Sequence, residues 1–69
     1  MLKTFHGNRE IKIGEEYEIQ ELWDESGDLE ELLEDGSSSP NNMNVVEFDI
    51  VDTDVRYICN TIVRVTDIR

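Results

Sequence analysis

The sequence predicts an α+β domain that is mostly β. The expected architecture is a small antiparallel sheet of three to five strands, either curled into an SH3-like barrel or left open, with one short acidic helix near residues 28–35. Three observations carry this. Apolar and polar residues alternate in separate stretches, the period of a half-buried strand. One leucine-rich stretch is bracketed by Asp28 and Gly36, the punctuation of a short helix. The chain has 69 residues, 38% of them hydrophobic, including two Phe, two Tyr and one Trp. That supplies a single small core and no more, so residues 1–69 read as one domain. No internal repeat is present.

Leu2, Phe5, Ile11 and Ile13 are apolar positions around an expected turn at His6-Gly7-Asn8. Gly14 punctuates before the first alternation. There Tyr17, Ile19 and Trp23 fall on one face, and Glu16, Glu18, Gln20 and Asp24 on the other. Leu22 is out of phase with Trp23, which a bulge near Glu21 would reconcile. Tyr17 reads as core. Trp23 either closes the core or serves as an aromatic anchor inside an acidic rim.

Asp28 is placed to cap a helix, and Glu31 three residues later completes a capping-box pattern. Leu29, Leu32 and Leu33 share one helical face, and Gly36 is the expected stop. Two turns do not hold in isolation, so the leucines must dock on something. Residues 37–42, Ser-Ser-Ser-Pro-Asn-Asn, have the composition of a flexible loop. Val45 to Asp52 is the next expected strand, with Val46, Phe48 and Ile50 inward and Glu47 and Asp49 outward. Asp52-Thr53-Asp54 is turn chemistry. From Val55 to Ile68 the chain is β-rich. Val55, Tyr57, Cys59, Val63 and Val65 share one parity and Ile58, Ile62 and Ile68 the other, so a bend is expected near Asn60. Adjacent strands joined by a short turn make an antiparallel hairpin.

The charge is segregated. Of 17 acids and 6 bases, giving a net charge of −11, eleven acids lie between Glu15 and Asp35 with no Lys, Arg or His among them. The remaining six acids and six bases cancel, so this window holds the whole net charge. An ordinary solubilising surface intersperses the two signs. Self-repulsion in the window opposes compaction and predicts stability that rises with added salt.

These numbers exclude several classes. A protein that binds nucleic acid by neutralising phosphates needs surplus Lys and Arg. No apolar run approaches the roughly 18 to 20 residues of a membrane span. Met1 to His6 lacks the apolar core of a secretory signal, and a single cysteine makes no internal disulfide, so a cytoplasmic setting is expected. Cys59 and His6 are the only thiol and imidazole. Cys59 is expected to be inert in an apolar strand and His6 exposed in a turn, so they do not make a nucleophile and base. Asp24 to Asp28 resembles the start of a calcium loop, but Leu29 stands where its glycine belongs and Asp35 where its glutamate belongs. Dispersed glycines form no phosphate-binding loop. No catalytic residue, metal or cofactor is expected.

The acidic constellation remains. Outward carboxylates two apart on a strand, such as Glu16 and Glu18, would stand roughly 6.6 Å apart. Glu30, Glu31 and Glu34 would add a second row opposite the leucines. Such rows imitate the charge ladder of a duplex, and a carboxylate draws the same bidentate Arg contacts as a phosphate. The candidate partner-binding residues are Glu16, Glu18, Glu21, Trp23, Asp24, Glu25, Asp28, Glu30, Glu31, Glu34 and Asp35. In composition, though not in any motif, the chain resembles the small acidic inhibitors of viruses and mobile elements, such as anti-restriction and anti-CRISPR proteins and DNA-glycosylase inhibitors. The likeness implies a non-enzymatic inhibitor in the cytoplasm (the host's, if viral), bound to a basic nucleic-acid-binding protein or nuclease complex. The alternative is a small β-rich interaction or assembly module acting through a sheet edge or as a homodimer, with Arg56 and Arg64 meeting an acidic face.

Overall fold

Val46 and Phe48 on one stretch and Val63 and Val65 on another alternate with polar residues. In the computed structural model, which describes residues 2–41 and 43–69, these stretches pair as the centre of an antiparallel sheet. They are β3, Val46–Asp52, and β4, Ile62–Ile68. A three-residue strand β1, Glu16–Glu18, adds to the far side of β4. A two-residue strand β2, Ser37–Ser38, adds to the far side of β3. The order is β1-β4-β3-β2, with β1 and β2 at opposite edges, so the sheet is open and does not close as a barrel. One helix, α1, spans Leu29–Asp35. The expected class, mostly β with a four-stranded antiparallel sheet and one short helix, is the class adopted.

The core comprises Ile11, Tyr17, Ile19, Leu22, Leu29, Val46, Phe48, Val63 and Val65, with Trp23, Leu32, Leu33, Ile58 and Cys59 packed partly against it. The alternation expected from Tyr17 to Trp23 stops early. Ile19 N–H donates to the Thr61 carbonyl at 2.8 Å, and residues Ile19–Glu21 then form a 3₁₀ turn. The Glu21 carboxylate stabilises that turn by accepting the Glu18 N–H at 2.9 Å. Residues three apart eclipse in a 3₁₀ turn, which sends Ile19 and Leu22 into the core together. The phase break at Leu22 is thus a helical turn rather than the expected bulge. The register shifts lie instead between Glu47 and Phe48 and between Ile50 and Asp52.

Helix α1 has the expected bounds. The Asp28 carboxylate accepts the Glu30 N–H at 3.0 Å, and Gly36 ends the helix at φ 73°, its N–H bonded to the Leu32 carbonyl. Left-handed backbone favours glycine there. Of the three leucines Leu29 is buried and Leu32 and Leu33 are half-buried. The segment expected as a loop over 37–42 begins instead as β2. The Ser38 hydroxyl, buried, donates to the Leu22 carbonyl, and Ser37–Ser38 pair with Glu47 and Val46, so Ser38 stands inside because its hydroxyl is matched. Asn42 lies outside the described residues.

The run from Val55 is not a strand until Ile62. The Asp54 carboxylate accepts the N–H groups of Arg56 and Tyr57 at 3.0 and 2.9 Å, fixing a turn, and a second 3₁₀ turn follows at Ile58–Asn60. The chain does bend at Asn60, but Val55 and Tyr57, which share the parity of the buried Val63 and Val65, are 96% and 59% exposed. Ile50 is 47% exposed although it shares a parity with Val46 and Phe48; it lies near the end of β3, where the register with β4 shifts between Ile50 and Asp52.

The expected turn near His6 is present. Residues 2–11 form a hairpin with an antiparallel bridge between Lys3 and Glu10, and Gly7 and Asn8 take positive φ. Its Phe5 N–H donates to the Glu21 carbonyl, docking it on the first 3₁₀ turn. Ile11 is buried, whereas Phe5 and Ile13 are 44% and 60% exposed.

Leu22→Ala, at a fully buried site, is expected to cost about 2–5 kcal/mol, a large part of the roughly 3–10 kcal/mol total for a chain of this size. Val55→Thr is expected to leave the urea midpoint unmoved. Equal losses from the two would show that the core is elsewhere.

Candidate protein-interaction surface

The eleven acids between Glu15 and Asp35 divide into two groups once folded. The first group makes contacts inside the chain. Glu16 lies opposite Arg64 across β1 and β4, and its carboxylate meets the guanidinium at 2.6 Å. Glu18 is half-buried and accepts from the Gln20 amide at 3.3 Å. The Glu21 side chain is only 14% exposed and takes both oxygens to Arg9 Nη1, at 2.9 and 3.1 Å. Arg9 in turn stacks over the Tyr17 ring, 4.6 Å from its centroid. Glu25 sits 2.6 Å from His6 Nε2, and its backbone is left-handed at φ 65°.

Asp24 accepts the Ser26 hydroxyl at 2.6 Å and the Ser26 N–H at 3.0 Å. Those bonds, the hydroxyl first, hold its carboxyl below the usual carboxylate range. Their contribution to stability is present above that range and is lost as the pH falls through it. Asp28 is occupied by capping α1. Trp23 is half-buried against the core with its indole N–H donating to the Ser26 carbonyl, so it closes the loop ahead of α1.

The second group is α1 itself. Glu30, Glu31, Glu34 and Asp35 are exposed, and none forms an ion pair among the described residues. Glu30 and Glu34, and Glu31 and Asp35, are four apart, a rise of about 6 Å between like charges. Glu34 and Asp35 also stand in the last turn, where the helix dipole favours cations, and no base is present there. Glu15 is exposed as well.

Beside α1 lies an open groove of about 320 Å³ that brings Asp24 and Asp35 to one place. Leu32 and Val45 line it together with Ser26 and Ser37 to Ser39. Two carboxylates and several hydroxyls above apolar contacts can accept hydrogen bonds from an amine, amide or guanidinium. The sequence signals neither this groove nor the contributions of Arg9, Arg64 and His6, because all three pairings join residues 12 to 48 apart in the chain. The serine run that lines the groove reads in sequence as a loop.

Cys59, expected in a strand, is half-buried in the second 3₁₀ turn with its sulfur 3.8 Å from Asn60 Oδ1. His6 is bonded to Glu25, so thiol and imidazole have separate partners. Among the described residues no three His, Cys, Asp or Glu side chains converge as a metal-ligating group. No helix among them is long and apolar enough to cross a membrane. No protein-family model, curated protein or solved structure matches this chain.

Asp35→Lys is expected to raise the thermal midpoint at low salt by about 2–4 °C, by relieving both the i,i+4 repulsion and the dipole mismatch. The wild-type midpoint should rise with NaCl and that of the variant should rise less. Identical salt slopes would show that α1 carries no net self-repulsion.

Proposed function

We propose that this chain is a non-enzymatic inhibitor that binds a basic nucleic-acid-binding protein, with α1 standing in for the nucleic acid. The observation that carries this is the set of four exposed helix carboxylates that form no ion pair among the described residues. The reading is narrower than the whole acidic window. Glu16, Glu21 and Glu25 are engaged by Arg64, Arg9 and His6, and Asp24 and Asp28 hold turns, so these residues shape the surface. Glu30, Glu31, Glu34 and Asp35 make the contact.

Carboxylates spaced a few Å apart on a capped helix present acceptors to a row of Lys and Arg as a phosphate backbone does, and Arg engages either group bidentately. Occupying that row excludes the nucleic acid. The field of a chain with net charge −11 steers the encounter, giving association that is fast and falls with salt. The setting is cytoplasmic, where such a partner meets its nucleic acid.

A second reading, a small β-rich module acting through a sheet edge or a homodimer, has one observation in its favour. Among the described residues the outer edge of β3 has no strand neighbour beyond Phe48. Its other proposed element is weaker, because Arg64 is already paired with Glu16 and leaves Arg56 alone to meet a second copy.

Affinity capture on tagged protein, washed at low and high salt and eluted with duplex DNA, tests the first reading. The expected result is one dominant nucleic-acid-binding protein, lost by the variant E30Q/E31Q/E34Q/D35N and retained by E16Q/E25Q. Equal capture by both variants, or recovery of only its own untagged copies, would exclude α1 as the contact.

A further inference from the structure

Four of the large apolar side chains left exposed fall in one eight-residue stretch. Ile50 and Val51 end β3 at 47% and 45% exposure, and Val55 and Tyr57 follow in the connection to β4. That connection is held, since the Asp54 carboxylate binds two of its N–H groups, the Thr61 hydroxyl accepts the Asp54 N–H, and Asn60 N–H bonds to the Tyr57 carbonyl. A fixed apolar tip loses little entropy on binding.

The backbone beside the tip is open. Phe48 N–H donates outward to the Gly36 carbonyl, and β2 reaches no further along β3. Residues Phe48 to Ile50 keep an unbroken register with Val65 to Val63. Alternation therefore points the Ile50 N–H and C=O to the same outer side, where no strand among the described residues meets them. Up to the register shift that follows Ile50, this edge offers these groups to an added strand.

Charge selects the occupant. Asp49 and Asp52 flank the Ile50-Val51 pair and are exposed. A second copy added antiparallel about Ile50 would crowd two Asp49 and two Asp52 carboxylates along one seam, between chains of net charge −11 each. We propose that the β3 edge and the Val55/Tyr57 tip form a docking site for an extended partner segment, apolar at alternate positions and flanked by Lys or Arg. This rests on the second reading above, commits it to a heterologous segment over a second copy, and is independent of α1.

The test is an NMR titration of the ¹⁵N-labelled chain with two synthetic peptides of equal charge. One alternates Val and Thr between terminal lysines; the other replaces that centre with Pro and Gly and cannot form a strand. Only the first is expected to shift the Ile50 amide and slow its hydrogen exchange. V55S/Y57S, altered at exposed sites, should weaken that peptide about tenfold. D49K/D52K should reverse the preference toward a peptide with terminal glutamates. Shifts from both peptides confined to α1 would overturn the docking site and leave the helix reading standing. Protection of the Ile50 amide without peptide, with a dimer by light scattering, would overturn the heterologous occupant while keeping an edge module. A monomer with no response at residues 50–57 would end both the site and the second reading.

Discussion

The phenol of Tyr17 is where three segments of this small chain are joined. Its ring is buried in the core. Its hydroxyl donates to the Glu10 carbonyl and accepts the Lys12 N–H, at 2.8 and 2.9 Å, which ties the end of the N-terminal hairpin to β1. Arg9 closes over the ring and reaches Glu21, which in turn holds the N–H of Glu18 where the strand becomes a 3₁₀ turn. That turn delivers Ile19 and Leu22 to the core and leads the chain on to α1. A core of nine buried apolar residues among those described leaves little surplus for a chain carrying so much like charge. The polar latch supplies what apolar area does not, and each member meets a partner inside the molecule. None of the buried side-chain polar atoms among the described residues is left without one.

The same economy explains the two kinds of acid. Close to the core, carboxylates are matched by the scattered bases of the neutral remainder of the chain or by N–H groups at caps and turns. Farther out, on α1, no cation reaches the carboxylates, although Lys3, Lys12 and Arg56 form no ion pair among the described residues. Arg9, Arg64 and Arg69 are each taken by one partner, and Arg69 serves Glu47 at 2.5 Å outside the window. Unmatched charge is thus carried by α1, where Leu29 is buried and Leu32 and Leu33 are half-buried, and by exposed sheet acids such as Asp49, Asp52 and Asp67.

What was legible in the sequence was local. Asp28, the spaced leucines and Gly36 set the helix to the residue, since a cap, a face and a stop all act within a few positions. The central strands showed in the alternation of Val46 with Phe48 and of Val63 with Val65. The misreadings have a common physical origin. Leu22, Ser38 and Tyr57 are placed by hydrogen bonds: a carboxylate on an N–H, a serine hydroxyl on a distant carbonyl, an aspartate closing a turn. Hydropathy does not record those bonds. The acidic window was visible as a charge count, but its division into engaged and unengaged acids depends on partners far along the chain, such as Arg64 for Glu16.

The order of the sheet has a consequence for how the molecule is made. Strand β4, paired on one side with β1 and on the other with β3, follows the other three strands in sequence and links the two flanks of the sheet. Earlier segments emerging during synthesis hold a hairpin, an acidic helix and two strand edges with nothing between them to pair. The contacts that close the sheet are long in sequence and must wait for residues 62–68, so assembly is deferred to one late event. Until then the dense negative charge of residues 15–35 keeps the waiting chain dispersed, an advantage during birth of the same repulsion that burdens the finished fold.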